Sequence, residues 1–271
     1  MSIAPAEATD VRANRSDRVR HLVVAVSAVF AVIASFIGSG ATGGTPIQDA
    51  AGGALAADAT LIAPAGPAFA IWTPIYLGLL AYAVCQFLPS LAHQQRQRRV
   101  GYWAAASLIL NGGWILSVQF DQLVLSAVLI VLLLAVLCRI FILLVDSRPE
   151  SPLEATVLDV TMGLYLGWVT IATVANLTAL LVVAGFDGFG WPAEAWAVSL
   201  LVVAGLIGLG LAVRGRGRLS PALALSWGLL WVAVGRLGDG PESAITGIAA
   251  IAAAAVVMFG TVLIRMVSPR R

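Results

Sequence analysis

The sequence predicts an all-α fold, a polytopic integral membrane helix bundle of about eight transmembrane helices. Composition is the first reason: of 271 residues, 60% are apolar and only 11% are charged, against roughly 25% charged in a soluble chain, and the mean hydropathy is +0.94. Second, the apolar residues fall into near-continuous runs of the length, about 20 residues, that a helix needs to cross about 30 Å of hydrocarbon. Third, the runs lack the two-residue period of a membrane barrel, and lipid leaves the backbone only helices or closed barrels.

A basic tail, residues 1–21, precedes the first span at 22–40. The tail reads as a topology anchor, or as a patch for anionic lipid. The first span also resembles a signal peptide, with a basic region, an apolar core and the small residues Gly38-Ser39-Gly40-Ala41; against that, its basic region is long. Residues 41–68, rich in Gly, Ala and Pro with Asp49 and Asp58 as charges, form the one long external loop, either a linker or a lid. Further spans follow at 69–88, 101–119, 122–145, 156–184, 192–213, 219–236 and 243–267. After residue 184 polar side chains become few, which divides a working module at 22–184 from a three-helix membrane extension at 185–271.

All 16 basic residues are Arg, so chemistry that needs a lysine amine, such as a Schiff base or a Walker-type phosphate site, is excluded. With the N-terminus inside, 15 arginines fall at cytoplasmic ends and Arg236 alone falls outside. This is the positive-inside pattern, and it places both termini in the cytoplasm of a multi-pass protein. Cys85 and Cys138 lie within apolar runs as buried thiols and form no staple framework. Nothing points to a nucleic-acid partner.

Several side chains lie deeper than a membrane belt requires. At 1.5 Å per residue, Trp114 is about 20 Å from the inner end of its helix and Trp168 about 18 Å from the start of its own. Asn111 and Trp114 share a face, as do Trp72 and Tyr76, and Tyr165, Trp168, Ala172 and Asn176 form one stripe. Amides in hydrocarbon require partners, so Asn111 and Asn176 either glue helices together or face a ligand. Likewise the rings either pack together or line a pocket. Ala172, with Gly112 and Gly113 beside Trp114, reads as space left open. Gly163 and Gly167 read as a close helix contact, and Arg139 with Asp159 as a structural ion pair. His21 and His93 sit at the cytoplasmic boundary, and no carboxylate, nucleophile pair or metal cluster lies at mid-depth. Acid–base and metal chemistry therefore find no support, and an uncharged aromatic pocket suits a flat apolar molecule.

At these residues the chain resembles the tryptophan-rich sensory protein family, also called the translocator protein or peripheral-type benzodiazepine receptor family (TspO/MBR). The match lies in Tyr165-Leu166-Gly167-Trp168 with Ala172-Thr173 and Asn176, in Asn111 and Trp114 with Phe120 nearby, and in Trp72-Thr73 and Tyr76 after Pro64 and Pro67. The resemblance covers residues 22–184. It implies a five-helix core, often dimeric, whose pocket beneath the first external loop takes porphyrins and other flat apolar ligands. On that basis Trp72, Tyr76, Asn111, Trp114, Tyr165, Trp168, Ala172 and Asn176 would line the pocket, residues 41–68 would be its lid, and a porphyrin or haem-like tetrapyrrole would be a ligand for transport or sensing, with no required cofactor. Three departures stand out. Leu164 replaces a proline, Phe69 is one residue closer to Trp72 than usual, and residues 177–190 lack the Tyr-then-basic pattern for sterols. A secondary transporter with the last three helices in its pathway, suggested by Trp227 and Trp231, is the main rival; a structural subunit with a filled pocket is another.

Overall fold

The computed structural model describes residues 15–40, 45, 49–238 and 240–268. Most of the basic tail, with Arg12, and parts of the loop at 41–44 and 46–48 lie outside the described residues, as do Arg270 and Arg271. The long helices are α1 (Arg15–Gly38), α2 (Trp72–Cys85), α4 (Gln95–Gln119), α5 (Leu123–Val145), α7 (Thr161–Val183), α8 (Ala193–Arg214), α9 (Leu219–Leu237) and α10 (Ala244–Val267), with short α3 (Pro89–Ala92) and α6 (Pro152–Glu154) between them. A 3-10 turn, Gly66–Ile71, leads into α2, and a π-helical turn, Ala155–Val160, joins α6 to α7.

Seven of the eight long segments are long and apolar enough to cross a membrane. The exception is α4, whose Arg96, Gln97, Ser107, Asn111 and Ser117 lower its hydropathy; all five are buried between its neighbours. The bundle is inverted relative to a soluble protein: Leu22, Val26, Ile33, Leu206, Phe259 and Leu263 are exposed while Arg20, Arg96, Glu154 and Asn176 are buried. Such a surface is stable only against lipid, so this is an integral, multi-pass membrane protein.

Helices α1, α4, α5 and α7 pack in succession, and α2 closes the ring between α7 and α1. The α1–α4 contact is rich in buried small residues, Ala28, Ala31 and Ala34 on α1 and Gly101, Ala104 and Gly112 on α4, with Gly101 against the Arg20 side chain and Gly112 against Phe30 and Ala34. The opening expected at Gly112 is thereby closed, because a Cβ there would meet Phe30 at 2.6 Å, and Leu129 covers Gly113 at 3.4 Å. On the far side, α9 packs along α7, and α10 and α8 pack on α9. Gly163 and Gly167 make the α7–α9 approach possible: a Cβ at Gly167 would lie 2.1 Å from the Pro221 carbonyl oxygen.

The arginine-rich end is closed by ion pairs around the buried carboxylates of Asp17 and Glu154 and the nearby Asp159. Arg98 holds both oxygens of Asp17, which also accepts from Arg20 at 2.9 Å. Arg96 pairs with Glu154 at 3.2 Å and with Asp159 at 2.6 Å, and Arg218 adds a second bond to Asp159 at 2.5 Å. This corrects the expected pairing of Arg139 with Asp159. Asp159 lies in the π-turn, and its cations are Arg96 of α4 and Arg218, the residue before α9, with none from α5. The segment starts as its sequence dictates: Ser151 caps the Glu154 N–H at 3.1 Å and the Glu154 carboxylate reaches back to the Glu150 N–H at 2.8 Å.

Candidate functional site: an aromatic chamber beneath the loop

At the opposite end, the stripes of α2, α4 and α7 converge on Trp72. Its ring lies 5.5 Å from Tyr76, 6.3 Å from Trp114 in a stacked arrangement, 5.8 Å from Tyr165 and 6.3 Å from Trp168, centroid to centroid. Phe69, from the 3-10 turn, meets the Trp168 ring edge-on at 5.7 Å. These spacings are ordinary for edge and offset packing, so the rings interlock around Trp72 and do not surround a single open room.

Two spaces remain on either side of that partition. An enclosed cavity of about 40 Å³ lies under the loop, bounded by Ala54, Leu55, Thr60, Ala63 and Pro64 above and by Trp114, Trp168, Ala172, Ala175, Asn176 and Ala179 below. A larger cleft of about 460 Å³ opens sideways between α1, α2 and α4, walled by Ser35, Phe36, Trp72, Tyr76, Asn111 and Trp114. Phe69 and Trp114 line both. Of the eight residues singled out in the sequence, four face the cleft and Trp114, Trp168, Ala172 and Asn176 face the enclosed cavity. Tyr165 lines neither; it is fully buried behind Trp72, its hydroxyl donating to the Ser107 carbonyl at 3.2 Å.

The two amides divide their roles. Asn176 accepts from the Trp114 indole N–H at 2.9 Å and donates to Ser126 Oγ at 3.1 Å, which ties α4, α5 and α7 together. Asn111 donates to the Tyr76 hydroxyl at 2.7 Å, and that hydroxyl pairs in turn with Ser35 of α1. Among the described residues the Asn111 Oδ1 and the Trp168 Nε1 have no partner, although both residues are at most 2% exposed. A buried polar atom without a bond costs about 1–3 kcal/mol, so each marks a position where water or a ligand atom is favoured.

The loop is held from the last three helices, a connection that spacing alone did not disclose. The Arg236 guanidinium donates to the carbonyls of Thr60 at 2.9 Å and Ala57 at 2.6 Å, the Trp227 indole donates to the Ala68 carbonyl at 2.9 Å, and the Trp231 carbonyl accepts from the Ala65 N–H at 3.1 Å. Ser126 was also missed, although a single hydroxyl in the apolar α5 is a readable signal. Thr60 carried none, since a loop has no periodicity to read.

No curated protein and no solved structure matches the chain. Residues 24–263 match the model of a family described as TSPO-like protein, from α1 through most of α10. With the tryptophans, amides and loop brought together at one end of a multi-pass helical bundle, and with a match over most of its length, this chain belongs to the TSPO-like protein family.

Proposed function

We propose that this protein binds a flat apolar ligand of the tetrapyrrole type in the aromatic chamber, for transport or sensing, with the arginine-rich end in the cytoplasm. The observation that carries the reading is the pair of spaces sharing Phe69 and Trp114 as walls, each bordered by a residue with an unpaired buried polar atom. The cleft of about 460 Å³ is within the range of small-molecule sites, whereas about 40 Å³ accommodates water. A ligand therefore enters from the bilayer between α1 and α2, stacks on Trp72 and Trp114, and reaches the enclosed part only if the Phe69 or Trp114 ring turns. Asn111 would accept a hydrogen bond from it and Trp168 would donate one, so ligands with both a donor and an acceptor are preferred over hydrocarbons. Trp227 and Trp231, the residues that suggested a pathway through the last helices, instead hold the loop, which supports a binding role over the secondary-transporter reading.

Titration of purified protein with a porphyrin should quench tryptophan fluorescence saturably. Ala172→Phe, which fills the enclosed cavity without removing a ring, should weaken that binding about tenfold by denying the ligand its inner seat; unchanged affinity would remove the chamber from the function. For orientation, a cysteine replacing the exposed loop residue Asp49 should react with an impermeant reagent outside intact cells while one replacing the exposed Arg216 should not, and the reverse pattern would invert the bundle.

A further inference from the structure

A third space adjoins the cavity under the loop at Thr60, which lines both, and is otherwise formed by neighbouring loop residues and the C-terminal part of the chain. It is a cleft of about 480 Å³ between the loop at 58–62, the end of α7, the 186–191 connection and the start of α8. Ile62, Leu181, Val182, Ala197 and Leu200 make its wall apolar, and Asp58 and Asp187 stand at its rim. Phe186, Trp191 and Trp196 complete it, with ring centroids 5.6 Å apart for Phe186–Trp196 and 6.1 Å for Trp191–Trp196. The Trp196 indole N–H is already bonded to the Gly188 carbonyl at 2.9 Å, so its ring is fixed and offers only its π surface. Among the described residues no basic side chain lines this cleft.

The chemistry of the walls selects an occupant. An apolar trough against exposed Leu181 and Val182 continues into the acyl region of the bilayer and suits an alkyl chain or ring. Aromatic faces carry negative electrostatic potential and attract a cation, most strongly when desolvated; the Asp187 carboxylate reinforces that sign and repels an anionic head, and Asp58 adds to it in part, because the Arg236 guanidinium on the flanking Ala57 and Thr60 carbonyls offsets some of its charge. We propose that the cleft, which none of Trp72, Trp114 and Trp168 lines, is a second binding site for an amphiphile with an ammonium head: the head between Asp58, Asp187 and the Trp196 ring, the tail along Ile62, Leu181 and Leu200.

The test uses the full chain in nonionic maltoside micelles and three dodecyl probes brominated at the chain end, carrying a trimethylammonium, a hydroxyl or a sulfate head. Bromine quenches nearby indoles, so tryptophan emission reports occupancy. The ammonium probe should quench saturably and bind about tenfold more tightly than the alcohol, with the sulfate weakest. Asp58→Asn combined with Asp187→Asn should reduce the ammonium probe to the alcohol's level. Asn at position 187 keeps an acceptor for the Phe189 N–H that Asp187 caps at 2.9 Å, so the loop retains its shape. Asp121→Asn, at an exposed turn outside the cleft, should leave the preference intact. Equal quenching by the three heads, a preference that survives the double substitution, or a loss equally large in Asp121→Asn would each overturn the assignment.

Discussion

At the arginine-rich end one guanidinium, that of Arg96, bonds Ser147, Glu154, Asp159 and the Leu144 carbonyl, whereas at the loop end the Trp168 indole, also buried, bonds nothing among the described residues. Both ends draw on α4 and on the continuous α6, π-turn and α7 segment, so the contrast lies largely in side chains. Where cations and carboxylates are matched, the helices are locked in register. Where rings and amides replace them, the small cavity and the lateral cleft remain between the helices. One end fixes the bundle and the other end is left able to accommodate a guest.

If that contrast is right, damage at the two ends has different consequences. Arg96→Met should have the largest effect on stability. It leaves Glu154, which is fully buried, without its cation, and removing one partner of a buried pair costs about 3–5 kcal/mol. Thermal unfolding in detergent should show a large fall in Tm, and a Tm equal to wild type would mean that the ion pairs do not hold the bundle. Arg236→Met comes next, because two hydrogen bonds from a charged donor to loop carbonyls are lost, each worth about 1.5–3 kcal/mol at most. Here the loss should be local: amide exchange at residues 57–63 should accelerate while the exchange of α5 and α7 stays slow. Uniform acceleration would show that the loop is part of the global fold and not a separately held cover.

Much of this division was legible in the sequence. Lipid leaves the backbone so few options that apolar run length identified the spans, and the stripe Trp168, Ala172, Asn176 is one cavity wall as its spacing demands. What escaped depends on partners from elsewhere in the chain. Helical spacing says which residues share a face but not what stands opposite: Gly112 meets Phe30 of α1 where an opening was expected. Tyr165 shares the stripe of Trp168, yet Trp72 screens it from either space. Arg139 and Asp159 lie near the ends of consecutive helices, but nearness along the chain does not say which side chains stand opposite, and Arg96 and Arg218 pair with Asp159 instead. The hold of Arg236 on Thr60 spans 176 positions, and no local pattern encodes it.

The smallest expected effect gives the sharpest discrimination between the two ends. Trp168→Phe keeps a ring against Phe69 and Trp72 but deletes the unpaired indole N–H. In an ordinary core, loss of a hydrogen-bonded donor destabilises; here the donor has no partner, so its removal relieves a desolvation cost and offsets part of the packing lost with the smaller ring. Stability should change by no more than about 1 kcal/mol, while affinity for a porphyrin should fall several-fold because the ligand loses the donor that the empty protein leaves unused. A substitution that lowers affinity with Tm nearly constant assigns Trp168 to binding. A fall in Tm with unchanged affinity would assign the loop end the same purely structural role as the arginine end.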